Sequence, residues 1–213
     1  MGNKKTNLLS IFVLFTIFFL LKFSYIFTFP HHYQYKNIEL YSDQPLQEHE
    51  EILTKALSLI EHSSIYRDDL EFTILISNSF AKYRLFNPLG SGSFAKYYPL
   101  TSNIYVNKTD GEGLTHRKSD KRTRNLHEII AHEATHHMLF KRVDLITYLR
   151  LPLWIHEGYA DYVAQSSTLT QDEARALELS NPDNMSLKYY KFREEVANKL
   201  QEGGNIEDLI SQL

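Results

Sequence analysis

Residues 126–138 read LHEIIAHEATHHM, a stretch whose apolar side chains recur at the spacing of an α-helix. Asn125, directly before it, is a residue type that commonly begins helices. His132 and His136 are four residues apart, so both imidazoles project from one face and can reach a single metal ion. Glu133 lies beside them, where its carboxylate can accept a proton from a water molecule on that metal. The stretch therefore predicts a metal-binding helix with an acid–base group.

A second helix is predicted downstream, opened by Pro152 and running through Val163. Its segment WIHEGYADY begins at Trp154 and places Glu157 and Asp161 four residues apart on one face. Glu157 can therefore supply a third metal ligand. Two imidazoles, one carboxylate and a water molecule form the open, catalytic type of zinc site.

Each of these residues also has a plainer interpretation. The two histidines of the first helix can be surface residues, and Glu157 can be an acid that favours a helix N-terminus. Asp161 can be a surface carboxylate paired with a neighbour. His137 and His156 adjoin the motif residues but are expected to point elsewhere on their helices, so we interpret both as structural.

Composition limits the chemistry that this chain can carry. Its 213 residues include no cysteine, which excludes thiolate zinc ligands and cysteine nucleophiles. The formal net charge of −3 favours no polyanionic partner, so we expect no nucleic-acid binding. A basic run before the metal-binding helix predicts a solvated loop, or alternatively a surface for anionic lipid headgroups or an acidic substrate. The members of this run are Arg117, Lys118, Lys121, Arg122 and Arg124.

The pattern His132-Glu133-x-x-His136 followed by Glu157 resembles the gluzincin branch of the zincin metallopeptidases. The specific motifs of this resemblance lie within residues 125–165. The resemblance implies that His132, His136 and Glu157 bind one zinc ion. It also implies that Glu133 is the general base of peptide bond hydrolysis.

The resemblance extends to residues outside the ligand set. In the thermolysin-like members of the branch, an Asp four residues after the ligand Glu orients a zinc-bound His, and Asp161 occupies that offset. Related gluzincins stabilise the tetrahedral oxyanion with a downstream Tyr or His, which makes Tyr189 and Tyr190 candidates. Leu139 and Arg142 stand where a metzincin needs Gly and His, so that branch is excluded. A Gly-x-Met-Glu-Asn segment, typical of the aminopeptidase gluzincins, is absent upstream, which favours an endopeptidase.

These features predict a zinc-dependent endopeptidase with one zinc ion per chain and a peptide or protein as substrate. Two other functions fit the same residues. A zincin-fold binding or assembly factor at the cell envelope would need no base, and Glu133 argues against it. A hydrolase of a non-peptide amide, such as a cell-wall bond, would use the same zinc chemistry. The sequence indicates no particular oligomeric state.

The N-terminal region is predicted to be a membrane segment. Residues 8–29 are almost wholly apolar and would extend about 33 Å as a helix, long enough to cross a bilayer. We therefore expect a signal anchor over residues 1–29, with a cleaved signal peptide and a secreted protein as the rival interpretation. Lys4 and Lys5 before the span predict a cytoplasmic N-terminus and a single-pass membrane protein whose catalytic domain is extracytoplasmic.

The rest of the chain predicts an α+β fold, a zincin-like domain over residues 45–213 behind a juxtamembrane linker with an entry strand over residues 30–44. An amphipathic helix is expected over residues 46–63 and a strand over residues 70–77. A second strand over residues 103–107 is expected at the edge of a small mixed sheet, where an extended substrate could pair with it. Loops are expected over residues 87–93 and 110–124, and further helices over residues 170–179, 187–201 and 205–213.

Overall fold

Helices and strands follow one another along the chain in the computed structural model, which describes residues 10–13, 15–16, 25–88, 92–118 and 121–211. The strands are β1 (His31–Tyr35), β2 (Ile38–Ser42), β3 (Phe72–Ile76), β4 (Ala95–Tyr98), β5 (Asn103–Val106), β6 (Leu114–His116) and β7 (Thr123–Asn125). The helices are α1 (Tyr25–Thr28), α2 (His49–Glu61), α3 (Phe80–Phe86), α4 (Leu126–Arg142), α5 (Leu145–Arg150), α6 (Leu153–Val163), α7 (Gln171–Ser180), α8 (Met185–Gln201) and α9 (Ile206–Ser211). This arrangement agrees with the expected α+β class.

A mixed sheet forms the centre of the fold, with the strand order β1-β2-β3-β5-β4. β2, β3 and β5 run parallel, whereas β1 and β4 are antiparallel to their neighbours. The inner strand β3 reads FTILI and is almost wholly buried, because both faces of the sheet are covered. On one face Phe72, Ile74 and Ile76 join the main core, where α2 and α4 pack together. On the other face Leu75 contacts an aromatic cluster that includes Tyr83.

The sequence predicts that the strand over residues 103–107 lies at an edge of the sheet. In the structure, β4 forms the edge on that side instead. β5 is an inner strand, paired with β3 on one side and with β4 on the other. The prediction was wrong because β4 reads AKYY, with Lys96 exposed between two buried residues. Such a short strand with one lysine gives a weak pattern, although a charged residue is common on an edge strand.

Residues 30–44 belong to the sheet rather than to a linker. They contain β1 and β2, and β2 alternates between buried and partly buried positions. The predicted loop over residues 110–124 similarly contains the antiparallel hairpin β6–β7. Residues 89–91, 119–120 and 212–213, which fall in the predicted loops and the last predicted helix, lie outside the described residues.

The predicted membrane span is contradicted, because none of the described helices is long and apolar enough to cross a bilayer. Tyr25 and Phe29 instead pack in the aromatic cluster on the sheet. On this finding the prediction of a single-pass anchor is wrong, and so is the localisation that rested on it. Residues 8, 9, 14 and 17–24 of the stretch lie outside the described part of the chain.

Helices α6 and α8 approach each other so closely that one position of α6 has no room for a side chain. A Cβ at Gly158 would lie 2.5 Å from the carbonyl oxygen of Phe192 and 3.0 Å from Cγ2 of Val196. The first of these neighbours is helix backbone, which can move only if the two helices separate. Because α6 also contacts α4, this close approach fixes α6 between the predicted metal-binding helix and α8.

Gly158→Ala should lower the free energy of unfolding by about 1–3 kcal/mol, because the added methyl group overpacks the contact between α6 and α8. At an unconstrained helix position the same substitution stabilises by roughly 0.5–1 kcal/mol, so the sign of the change is diagnostic. Denaturant unfolding of both proteins measures it. Gly111→Ala is the control, since among the described residues a Cβ there would meet nothing within 4 Å. Unchanged or increased stability in Gly158→Ala would contradict the close approach.

Candidate metal centre

Helix α4 carries the first two candidate ligands through the centre of the domain. Asn125 precedes its first turn, and the side chain of Asn125 donates a 2.7 Å hydrogen bond to Oε1 of Glu128. Most of its apolar side chains are fully buried in the main core, which holds the helix against the sheet. These buried residues include Leu126, Ile129, Ile130, Ala131, Ala134, Met138 and Leu139.

Helix α6 carries the third candidate ligand and begins after a short connecting helix. Asp144 caps that connecting helix, α5, by accepting hydrogen bonds from two backbone N–H groups of its first turn. Pro152 precedes the first residue of α6, where the missing N–H of proline costs no helical hydrogen bond. Ile155 of α6 is buried in the main core. The face that carries Glu157 and Asp161 is thereby turned towards α4.

Three predicted ligands meet where α4 and α6 face each other. His132 Nε2 lies 3.5 Å from Glu157 Oε2, and His136 Nε2 lies 3.9 Å from Glu157 Oε1. One ligand atom from each residue can be chosen so that all three lie within 4.8 Å of one another. Imidazole nitrogen and carboxylate oxygen atoms bind metal ions such as zinc at about 2.0–2.2 Å, so two ligands of one ion lie at most about 4.4 Å apart. The cluster can therefore hold a metal ion with little adjustment.

Asp161 determines the orientation and the tautomer of the first imidazole. Nδ1 of His132 donates a 2.8 Å hydrogen bond to Oδ1 of Asp161, whose side chain is buried. When His132 is neutral, as a metal ligand must be, its proton is therefore on Nδ1 and the lone pair of Nε2 faces Glu157. Asp161 thus lies where the orienting role predicted for it requires.

His156 holds the second imidazole, and sequence reasoning missed this contact. His136 Nδ1 and His156 Nδ1 are 3.2 Å apart, so one donates to the other. When Nε2 of His136 binds a metal ion, the proton of this imidazole is on Nδ1, which then donates to Nδ1 of His156. Nε2 of His136 faces Glu157. Our interpretation that His156 points away from the motif was therefore wrong, because the crossing of α4 and α6 brings it onto His136.

Glu133 lies between α4 and the edge strand of the sheet. Its carboxylate is buried, and Oε2 accepts a 2.7 Å hydrogen bond from the backbone N–H of Tyr97 in β4. Burial raises the pKa of the Glu133 carboxyl, although the charges of His132 and Lys96 oppose this. The group is thus held in place by the sheet and shifted towards the protonated form.

The electrostatics of the site favour a bound cation. Burial opposes a charged imidazole at His132, but the hydrogen bond with Asp161 and the charge of Glu157 raise its pKa to about 10. Burial alone would raise the pKa of Glu157, yet its contacts with His132 and His136 hold that pKa well below its ordinary value. Burial holds the pKa of His136 well below its ordinary value. Two carboxylates thus favour a positive charge at His132, and a metal ion at its Nε2 would take the place of the proton there.

A cavity of about 210 Å³ opens beside the cluster. Ala95 of the edge strand and Tyr189 of α8 line it together with the candidate ligands. Tyr190 instead packs against the small apolar cluster of Leu169 and Leu187. Of the two tyrosines predicted to stabilise an oxyanion, the structure brings Tyr189 to the cavity and leaves Tyr190 outside it.

No protein-family model and no curated protein matches this chain. The resemblance to gluzincins therefore stays a prediction. The described residues themselves provide a cluster that can hold a metal ion, a buried carboxylate beside it and a cavity that opens onto both.

We expect the purified chain to contain about one metal ion, and the ion to be lost in both His136→Ala and Glu157→Ala, because each substitution removes one of three ligands. Elemental analysis of the folded proteins measures this. His127→Ala is the matched control, since His127 is on the same helix but outside the cluster. Full metal retention in Glu157→Ala would remove the carboxylate from the ligand set.

Removing His156, the hydrogen-bond partner of His136 Nδ1, should weaken metal binding without removing a ligand. His156→Leu keeps much of the volume of the side chain but leaves His136 Nδ1 without its acceptor. We expect its metal dissociation constant to rise about 10–100-fold. His156→Asn, whose amide oxygen can take the place of Nδ1, should stay within a few-fold of the parent. Competition with a chromophoric chelator measures both constants, and equal affinities in the two variants would contradict the orienting role.

Proposed function

We propose that this protein is a zinc-dependent peptidase of gluzincin type. One observation carries the proposal: Nε2 of both His132 and His136 faces the Glu157 carboxylate, with the buried carboxylate of Glu133 beside them. Two neutral imidazoles and one carboxylate suit zinc and leave a coordination position for water or substrate. The absence of cysteine from the chain fits a catalytic rather than a structural zinc site.

Each residue of the site has its own role in the proposed reaction. Zinc bound to the cluster would polarise the scissile carbonyl and lower the pKa of a bound water molecule. Glu133 accepts the proton of the attacking water and later donates it to the leaving amine nitrogen. Its raised pKa suits a group that holds a proton between two steps. Asp161 and His156 keep Nε2 of each imidazole directed at the ion.

The edge strand provides a surface along which an extended peptide can bind. The Tyr97 N–H, which bonds to Glu133, points away from β5. Because outward and inward positions alternate in an antiparallel pair, both backbone groups of Ala95 point the same way. A peptide that adds to this edge by β-augmentation would lie across the cavity and beside Glu133. Tyr189 lines the cavity, and burial raises its pKa, so its hydroxyl keeps the proton needed to stabilise an oxyanion.

The edge strand also favours peptides over other substrates. A non-peptide amide would undergo the same hydrolysis but would make no use of the backbone groups of β4. A binding or assembly factor would need neither Glu133 nor its anchoring by Tyr97 N–H. We therefore place peptide hydrolysis first and treat the other two functions as outcomes of the test.

Glu133→Gln should keep the metal and lose turnover. The amide is isosteric and leaves the ligand set intact, but it cannot accept the proton, so kcat/KM should fall at least about 100-fold. The measurement pairs metal analysis with mass-spectrometric detection of cleavage of a defined peptide mixture. Glu50→Gln, at an exposed position of α2, is the control.

Two results would redirect this proposal. Cleavage at the parent rate by metal-loaded Glu133→Gln would remove Glu133 as the base. A parent protein that binds zinc, leaves every peptide intact and hydrolyses a non-peptide amide would establish the amidase alternative instead.

A further inference from the structure

Cationic side chains line the cavity together with the candidate metal ligands. They are Lys96 of the edge strand, Arg117 after β6 and Arg124 of β7. Lys96 is exposed. Arg124 differs from the others because its side chain is only 10% exposed.

The buried guanidinium of Arg124 has donors left over. Among the described residues, its Nε and Nη2 atoms have no hydrogen-bond partner. The nearest acid, Asp161, has its Oδ1 atom 3.6 Å from Nη2, beyond hydrogen-bond distance, and that oxygen already accepts from His132. A buried charged donor without a hydrogen bond is costly, so such a group is expected to meet a ligand.

The unpaired atoms of Arg124 match one kind of ligand. Nε and Nη2 form one side of the planar guanidinium, and their N–H groups point in parallel, which is the geometry that binds the two oxygens of a carboxylate. The backbone of Arg124 is held in the β6–β7 hairpin opposite Thr115, directly before α4. Its guanidinium lies 6.0 Å from the ring of Phe94, which also lines the cavity. The fold therefore places Arg124 in the lining of the cavity.

We propose that Arg124, assisted by the charges of Lys96 and Arg117, binds a carboxylate of the peptide substrate close to the bond that is cleaved. This inference rests on the proposed peptidase function and names its substrate class: peptides with an acidic group beside the scissile bond. The acidic group is either an Asp or Glu side chain or a free C-terminal carboxylate. Both present the same planar pair of oxygens to Nε and Nη2.

A merely structural Arg124 would behave differently. If its guanidinium served only to balance the charge of Asp161, substituting it would weaken metal binding or turnover for every peptide alike. If Arg124 binds a carboxylate, its substitution changes the ratio of kcat/KM for an acidic peptide to kcat/KM for the amide counterpart. The ratio is therefore the readout, and metal content is measured beside it.

The test uses acetylated octapeptides made in matched pairs, with the full chain loaded with zinc. One pair differs by Glu or Gln at a single position, scanned along the peptide, and the other by a free or amidated C-terminus. We expect the parent to prefer the acid of one pair about 10–100-fold in kcat/KM, the size of a charge-assisted hydrogen bond. The pair that shows the preference identifies the source of the carboxylate.

Arg124→Gln should lose this preference while it keeps its zinc. Lys96→Gln, on an exposed position that folding tolerates, should reduce the preference a few-fold and serves if Arg124→Gln fails to fold. Arg175→Gln, an exposed arginine on α7, is the matched control and should retain the preference in full. A parent that prefers neither acid, or a preference that survives in zinc-loaded Arg124→Gln, would overturn the proposal.

Binding to the Glu133→Gln protein separates this proposal from the peptidase proposal. Calorimetric titration with the same peptide pairs needs no turnover, and tighter binding of the acid should disappear in the double variant Glu133→Gln with Arg124→Gln. Selective binding of acidic peptides by a protein that cleaves none would keep the carboxylate site and reject the peptidase. Cleavage with no preference for an acid would keep the peptidase proposal and reject the carboxylate site.

Discussion

The hydrogen bond between His132 Nδ1 and Asp161 Oδ1 joins α4 to α6 at the point where the candidate ligands meet. It needs α6 to lie at one distance and one rotation relative to α4. Burial of the apolar face of α6 in the main core sets the rotation of α6 about its axis. The close approach of Gly158 to α8 fixes the position of α6 on the side away from α4. With Asp161 on His132, the carboxylate of Glu157 one turn earlier faces both imidazoles.

The cavity carries charges of both signs close together. Glu133, Glu157 and Asp161 line it beside the two candidate imidazole ligands, and Lys96, Arg117 and Arg124 line it as well. The carboxylates would favour a bound cation, and the cationic side chains would favour an anionic group of a substrate. Burial strengthens both effects, because neighbouring charges are less well screened away from water.

The parts of this molecule that could be predicted are those that depend on one segment of chain. The helix of His132 and His136 and the helix of Glu157 follow from local spacing, and so do the long amphipathic helices. The missed features depend on how segments meet. Whether His156 faces His136 is decided by a helix crossing, and the edge position of β4 is decided by the order of strands in the sheet. The apolar N-terminal stretch misled us because hydropathy alone does not tell whether a residue such as Phe29 packs on protein or on lipid.

The hydrogen bond from Tyr97 N–H to Glu133 gives the edge strand a second consequence. The bond fixes the proposed base beside Tyr97 of β4. A peptide paired with β4 would therefore have one particular residue beside Glu133, and the register of the pairing decides which one. Successive side chains of an extended peptide point to opposite sides, and a shift by one residue would exchange those that face the cavity with those that face solvent. The point of cleavage would then be set by strand register as much as by side-chain pockets. A peptide able to bind in two registers would give two sets of products from one site.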